Sequence, residues 1–203
     1  MEVLQVFPTT IGIHRREDDG LNLKLLTLIE QLRGGNTDDF FACPVNLCTL
    51  PLTEELETTF KFFCDSILAT ASVANNDFWS KDEVVPYLAS CWVQQYEKGA
   101  FHSLHCHGGT SWSGVYMVDV DSDPTYAGDG NLQLMSPVSG ANVSEIGDAY
   151  NEINKLDVEP VVGQIVVFPH YLKHQTLPYF GNKRRTVVAF NGGVKRRPTS
   201  VDE

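Results

Sequence analysis

Several things are scarce in this chain, and each absence removes a class of function. No apolar run approaches the ~20 residues that a helix needs to cross a bilayer, so a membrane-spanning role is not expected. The five cysteines, at positions 43, 48, 64, 91 and 106, are odd in number and include no C-x-x-C pair, which suits free thiols rather than a disulfide framework. Cys43 and Cys48 by themselves lack the further spaced ligands that a zinc site requires. Basic residues are outnumbered, 15 Lys and Arg against 26 Asp and Glu, for a net charge of −11. Such a surface repels phosphate backbones, so no nucleic-acid partner is expected. The two dense basic stretches, Lys183-Arg184-Arg185 and Lys195-Arg196-Arg197, read as a solvated turn and a tail. The N-terminal stretch MEVLQVFPTTIGIHRRED lacks the basic-then-apolar order of a secretory signal, and with the free thiols this gives a cytoplasmic expectation. There is no internal repeat and no low-complexity linker.

What remains is an ordinary folded chain: 203 residues, 42% hydrophobic and 20% charged, enough for one domain with a substantial core. The first third reads mainly helical. Apolar residues at 21, 25, 28, 29 and 32 mark one helical face. A second helix is predicted to start near Thr53 as N-cap, with Glu54 and Glu55 in its first turn and a stripe of Leu56, Phe60, Phe63, Ile67, Leu68 and Ala71. From about residue 84 the texture changes to short β-rich segments: 91–96, 111–120, 131–135, 164–168 and 185–190, separated by turn-forming stretches. The predicted fold is mainly β with flanking helices, a double-stranded β-helix or jelly roll supported by N-terminal α-helices. The expected division is helical support over 1–83, the jelly-roll core over 84–194 and a short tail over 195–203.

Chemistry concentrates in the histidines. Of six, three fall close together at 102, 105 and 107, and two more flank the end of a strong strand at 170 and 174. A pair one residue apart on a strand sends both imidazoles to one face and the intervening Cys106 to the other. A third histidine from a neighbouring strand would complete a facial set with open metal positions opposite. On a regular strand His102 shares a face with neither ligand orientation, so packing or substrate contact is expected of it rather than ligation. His14 is unremarkable. In the strand 185–190, Arg185, Val187 and Ala189 share one face, so only one of Arg184 and Arg185 can point inward. A buried arginine demands an anion, no acidic residue sits nearby in sequence, and a dicarboxylate ligand would match its fork.

The stretch Tyr96-Glu-Lys-Gly99-Ala-Phe-His102-Ser-Leu-His105-Cys-His107 resembles the opening of the prolyl-4-hydroxylase-like catalytic core, Y-x-x-G-x-x-Y-x-x-H-x-D. Ser113–Met117, Gly130–Pro137 and Pro160–Pro169 resemble its next strands, and the run ending at Asn191 its closing hairpin. Over roughly residues 85–191 the chain is most similar to the small 2-oxoglutarate/Fe(II) oxygenases of marine bacteria and their phages. The resemblance implies that His105, His107 and His174 ligate Fe(II), that Arg185 binds the distal carboxylate of 2-oxoglutarate, and that Tyr96 lines the co-substrate pocket. It implies O2-dependent decarboxylation of 2-oxoglutarate to succinate, coupled to hydroxylation of a prolyl or other protein side chain or of a small metabolite. Three departures stand out: His107 replaces a carboxylate ligand, His102 replaces a tyrosine, and Met117 replaces an aromatic often found after Tyr116. The loop Met135–Leu156, rich in Gly, Asn and Ser, is a candidate lid over the substrate, or equally a surface insertion. Two other readings stay open on the residues: a three-histidine cupin-type dioxygenase that does not use 2-oxoglutarate, and a non-catalytic jelly-roll binding module.

Overall fold

The computed structural model describes residues 9–17, 19–75, 78–121, 123, 125–137 and 154–198. In chain order the described elements are β1 (Gly12–Arg15), α1 (Asp19–Arg33), β2 (Phe40–Ala42), α2 (Glu54–Ala74), β3 (Val84–Tyr96), β4 (His102–His105), β5 (Trp112–Asp119), β6 (Leu132–Met135), β7 (Lys155–Val158), β8 (Gln164–Pro169), β9 (His174–Thr176) and β10 (Arg185–Arg196). The strands form two antiparallel sheets, in the orders β1-β8-β5-β10-β3-β2 and β4-β9-β6-β7. This is the jelly roll anticipated from the sequence.

Side-chain alternation in the larger sheet assigns each face a job. Cys91, Val93, Tyr116, Ile165, Val167, Val188 and Phe190 point outward and meet Leu21, Leu25 and Ile29 of α1 and Leu56, Phe63 and Ile67 of α2, forming one buried cluster. Tyr96, Val115, Met117, Val166, Phe168 and Val187 point inward and meet Leu132, Leu134 and Val158 of the smaller sheet, forming a second. The outer layer depends on a missing side chain: a Cβ on Gly114 would overlap the Phe190 ring, which stacks on Phe63 with centroids 4.5 Å apart. Thr53 caps α2 as anticipated, but its side chain makes no capping hydrogen bond. Glu54, Glu55 and Glu57 in the first turn carry the favourable interaction with the helix dipole instead.

The segment 1–83 supplies more than helices, because β1 joins β8 and β2 joins β3 at the two edges of the larger sheet. Both are only three or four residues long and too short to show a period. Strand β3 begins at Val84 rather than Cys91, and β10 continues to Arg196 rather than stopping at Phe190. Their pairing crosses an irregularity at Asn191/Gly192, which interrupts the alternation that a sequence reading follows. Pro86 is tolerated in β3 because β2 pairs only with Gln94–Tyr96, leaving that end of the strand without a second neighbour. Lys195 and Arg196 are therefore strand residues and not a solvated tail; Lys195 sits over the Tyr87 ring at 5.8 Å. Of the proposed lid, Met135 and Leu156 belong to the paired strands β6 and β7, and residues 138–153 lie outside the described residues.

Candidate active site

The site lies between the sheets, where β4, the edge of the smaller one, meets β9. His105 pairs with His174, and His102 pairs with Thr176. Three steps along β4 thus match two along β9, a bulge that turns His102 and His105 to the same side despite their odd spacing. The expectation that His102 faces away from the ligands fails for this reason: its ring centroid is 4.1 Å from that of His105. The idea that His105 and His107 share one regular strand also needs correction, since β4 ends at His105. His107 is held by its backbone, its N–H donating to the His170 carbonyl at 3.0 Å and its carbonyl lying 3.1 Å from His170 Nδ1. His170 is accordingly a backbone clamp beside the site. Cys106 is exposed and turned outward.

His105, His107 and His174 offer ring nitrogens that all lie within 4.8 Å of one another. Their ring centroids are 4.2 Å (105–174), 5.0 Å (107–174) and 5.1 Å (105–107) apart. His105 Nδ1 is 2.7 Å from the Ser103 carbonyl, and His174 Nδ1 is 2.9 Å from the Leu172 carbonyl. A carbonyl oxygen only accepts, so in both rings the proton sits on Nδ1 and Nε2 keeps its lone pair. Backbone carbonyls holding the second nitrogen of a ligating imidazole are a common way to fix its orientation. Burial depresses His174 to a pKa of about 3, with smaller contributions from the neighbouring imidazoles. Burial first, and then His105 and His170, depress His107 to about 4. Both rings are neutral at neutral pH, as a metal ligand must be. The donor set fits a divalent first-row metal that accepts imidazole nitrogen.

The same cavity is walled by Trp92, Gln94, His102, Leu132, Phe168 and Thr176. Alternation along β3 and β10 continues this inward face from Trp92 and Gln94 to Tyr96, and from Ala189 and Val187 to Arg185. Arg185 is fully buried. Its guanidinium carbon lies 4.7 Å from the centre of the Tyr96 ring, and Nη2 is 3.5 Å from Met117 Sδ. Nε and Nη1 have no hydrogen-bond partner, and Arg185 makes no ion pair among the described residues. Gly130, at φ 64°, crosses close to this stem: a Cβ there would come within 3.4 Å of Arg185 Cδ and 2.9 Å of the Tyr179 ring. Arg184 takes the opposite direction, bonding Glu97 at 2.5 Å and Glu30 at 2.9 Å on the outside. One arginine of the pair faces inward, as the alternation required, and two of its buried donors are left for an anion to satisfy.

Trp92, Gln94 and Thr176 were not anticipated as site residues. Their positions were nonetheless readable in part, since Trp92, Gln94 and Tyr96 alternate on one face of β3 and Thr176 follows His174 by two.

Fold and site together define a class: a jelly roll holding three clustered imidazoles on one wall and a buried, unpaired cation in the same interior. Residues 90–191 match the family model described as "Putative 2OG-Fe(II) oxygenase", and the chain belongs to that family. It is a 2-oxoglutarate-dependent dioxygenase whose cofactors are Fe(II) and 2-oxoglutarate. No curated protein sequence matches the chain. Among solved structures it is similar to a prolyl-4-hydroxylase of Pseudomonas putida, at 15% identity over 94% of each chain with a TM-score of 0.59. It is also similar to HygX of Streptomyces hygroscopicus with nickel and 2-oxoglutarate bound, at 12% identity, 91% of this chain, 83% of that chain and a TM-score of 0.59. A third likeness is to a prolyl hydroxylase of Trichoplax adhaerens in complex with a hypoxia inducible factor peptide fragment, at 12% identity, 91% and 83% coverage and a TM-score of 0.56. At these identities the likeness is one of fold. No helix among the described residues is long and apolar enough to cross a membrane.

Proposed function

We propose that the chain, as one domain over residues 1–203, couples the decarboxylation of 2-oxoglutarate to the hydroxylation of a second molecule, with His105, His107 and His174 as the iron ligands and Arg185 as the co-substrate anchor. The observation that carries this reading is the buried Arg185 guanidinium with Nε and Nη1 unpartnered, in the interior whose other end is walled by the three histidines. A charge left unpaired at that depth is costly, and a dicarboxylate of the right length would offer the missing acceptors while reaching the imidazoles with its other end.

Bound Fe(II) would supply the redox chemistry that activates O2 and links oxidation of the keto acid to oxidation of the second molecule. The residues of this chain do the positioning. His105 and His174 present Nε2 lone pairs because Ser103 and Leu172 hold their Nδ1 protons. Arg185 and Tyr96 fix the far end of the co-substrate, and Leu132, Phe168 and Trp92 keep water from the space between. The cupin-type reading leaves the unpartnered Arg185 without a purpose, and nothing in the site favours it.

The second molecule is a protein side chain or a small metabolite. Both kinds are bound in structures of similar fold, a hypoxia inducible factor peptide fragment in one and hygromycin B in another. The test is anaerobic titration of the Fe(II)-loaded protein with 2-oxoglutarate, following the visible charge-transfer band of a chelated keto acid beside Arg185→Ala. A band in the wild type that weakens sharply in the variant supports the reading. Iron binding without any band would hand the lead to a dioxygenase that does without 2-oxoglutarate.

A further inference from the structure

His102 is the fourth imidazole of the cavity, and its hydrogen bonding differs from that of its neighbours. Its Nδ1 lies 3.3 Å from Gln94 Nε2. The Gln94 carboxamide is itself oriented, because its Oε1 accepts the Tyr96 hydroxyl at 3.0 Å. With the oxygen end so occupied, the group facing His102 is the –NH2, which only donates. His102 Nδ1 must then be the acceptor, and the ring proton resides on Nε2.

This is the opposite tautomer to that of His105 and His174, whose Nδ1 atoms donate to carbonyls. Two imidazoles therefore present lone pairs, while His102 presents an N–H. That N–H has no hydrogen-bond partner among the described residues, and the ring lines the same cavity. An N–H donor does not ligate a metal; it binds an anionic or carbonyl oxygen. The ring packs against those of His105 and Phe40, with centroids 4.1 Å and 5.2 Å away.

We propose that His102 is a binding residue for the co-substrate, donating from Nε2 to a carboxylate oxygen at the end of the keto acid nearest the three histidines, with Gln94 as the positioning residue that fixes its tautomer. The inference rests on the reading of this cavity as the 2-oxoglutarate site. It also gives the Tyr96–Gln94–His102 series a purpose. The Tyr96 ring lies under the Arg185 guanidinium, and Gln94 connects its hydroxyl to the donor at the other end. Both ends of a dicarboxylate are thus met by one hydrogen-bonded series of side chains.

Two measurements test this. In the wild-type protein free of metal, long-range 15N NMR of the imidazoles is expected to show His102 protonated on Nε2, and His105 and His174 protonated on Nδ1. Protonation of His102 on Nδ1 overturns the proposal before any variant is made. The second is calorimetric titration of the Ni(II)-loaded protein with 2-oxoglutarate, with no primary substrate present. For His102→Phe, which keeps a flat ring but no donor, the Kd is expected to rise roughly tenfold or more, as for a lost hydrogen bond to a charged group. His102→Gln, which restores an N–H, is expected to recover part of that loss, and Gln94→Leu to lose less than His102→Phe. Ni(II) affinity is expected to stay within about twofold in all three, consistent with a residue that is not a ligand. If the wild type binds the keto acid and His102→Phe binds it equally well, the role of His102 falls while the site reading stands. If the wild type binds none, both fall together.

Discussion

Arg185 stands directly opposite Tyr96 in the pairing of β10 with β3, and its guanidinium lies over the tyrosine ring at 4.7 Å with two of its donors unpartnered. The aromatic face offers a cation some attraction without accepting a hydrogen bond from it. The arrangement stabilises the charge in part and leaves its directional bonding capacity for a ligand.

One consequence is a conflict between stability and function at this position. Arg185→Met replaces a buried unpaired charge with an apolar chain of similar length, and is expected to stabilise the ligand-free protein by about 1–4 kcal/mol. For a chain of this size that is a rise in Tm of roughly 2 °C or more. The same variant should lose measurable 2-oxoglutarate binding. Thermal unfolding with and without the keto acid reads both effects, and a fall in Tm of the ligand-free variant would contradict the account of Arg185.

A second expectation concerns pH. Burial holds His102 and His107 at about 4 and His174 at about 3, below the ~6.5 of an imidazole in the unfolded chain. Between those values the unfolded state binds more protons than the folded one, so stability rises with pH there. The metal-free protein should therefore lose stability progressively as pH falls from about 6.5 toward 4. Urea midpoints at pH 7.5 and pH 5 check this, and His174→Asn should flatten the dependence. Equal midpoints in the wild type would mean that these rings are not held neutral.

Thr176 makes a finer test of the cavity wall. It is buried, lines the cavity beside the histidines and pairs with both His102 and Leu132. Thr176→Val keeps the shape and removes the hydroxyl. Co-substrate affinity is expected to weaken by about two- to tenfold, the range of a single neutral hydrogen bond, with no change in metal affinity. Calorimetry on the Ni(II)-loaded protein distinguishes this from an unaltered Kd.

The opposite face of the larger sheet should respond differently. Phe63 is fully buried and stacked on Phe190, against the helices and away from the histidines. Phe63→Ala is expected to cost about 3–5 kcal/mol by denaturant unfolding. At temperatures where the variant remains folded, its metal stoichiometry should equal that of the wild type. Loss of metal from a folded Phe63→Ala protein would mean that the two layers are coupled more tightly than their separate clusters suggest.

The residues most legible in the sequence were those governed by strict alternation. That only one of Arg184 and Arg185 points inward follows from counting along β10, the choice of Arg185 following from the family resemblance, and the helix stripes of Leu21 to Leu32 and Leu56 to Ala71 follow from a 3.6-residue period. What escaped was whatever depends on a partner strand. The short edge strands β1 and β2 carry too few residues to show a period, and their existence depends on open hydrogen-bonding edges of β8 and β3. The odd spacing to His105 predicts that His102 faces away from the ligands, and only the pairing with β9 reveals the bulge that cancels the odd step. Gln94 is an unremarkable glutamine in sequence. Its part in the cavity comes from Tyr96, two residues away, and His102, across a turn.

That bulge also sets how the site tolerates changes in chain length. Ser103 and Leu104 are exposed, and substituting either should matter little. Deleting one of them is another matter, because it removes the bulge: two steps of β4 would then match two of β9, and His102 and His105 would keep Thr176 and His174 as partners in a regular ladder. The carbonyl two residues before His105, which now belongs to Ser103 and holds His105 Nδ1, would become that of His102. Two positions that contribute no side chain to the cavity thus set the backbone that orients a ligand ring. Transplanting this histidine arrangement onto another scaffold would require moving the whole stretch from His102 to His107 as a unit, uneven pairing included.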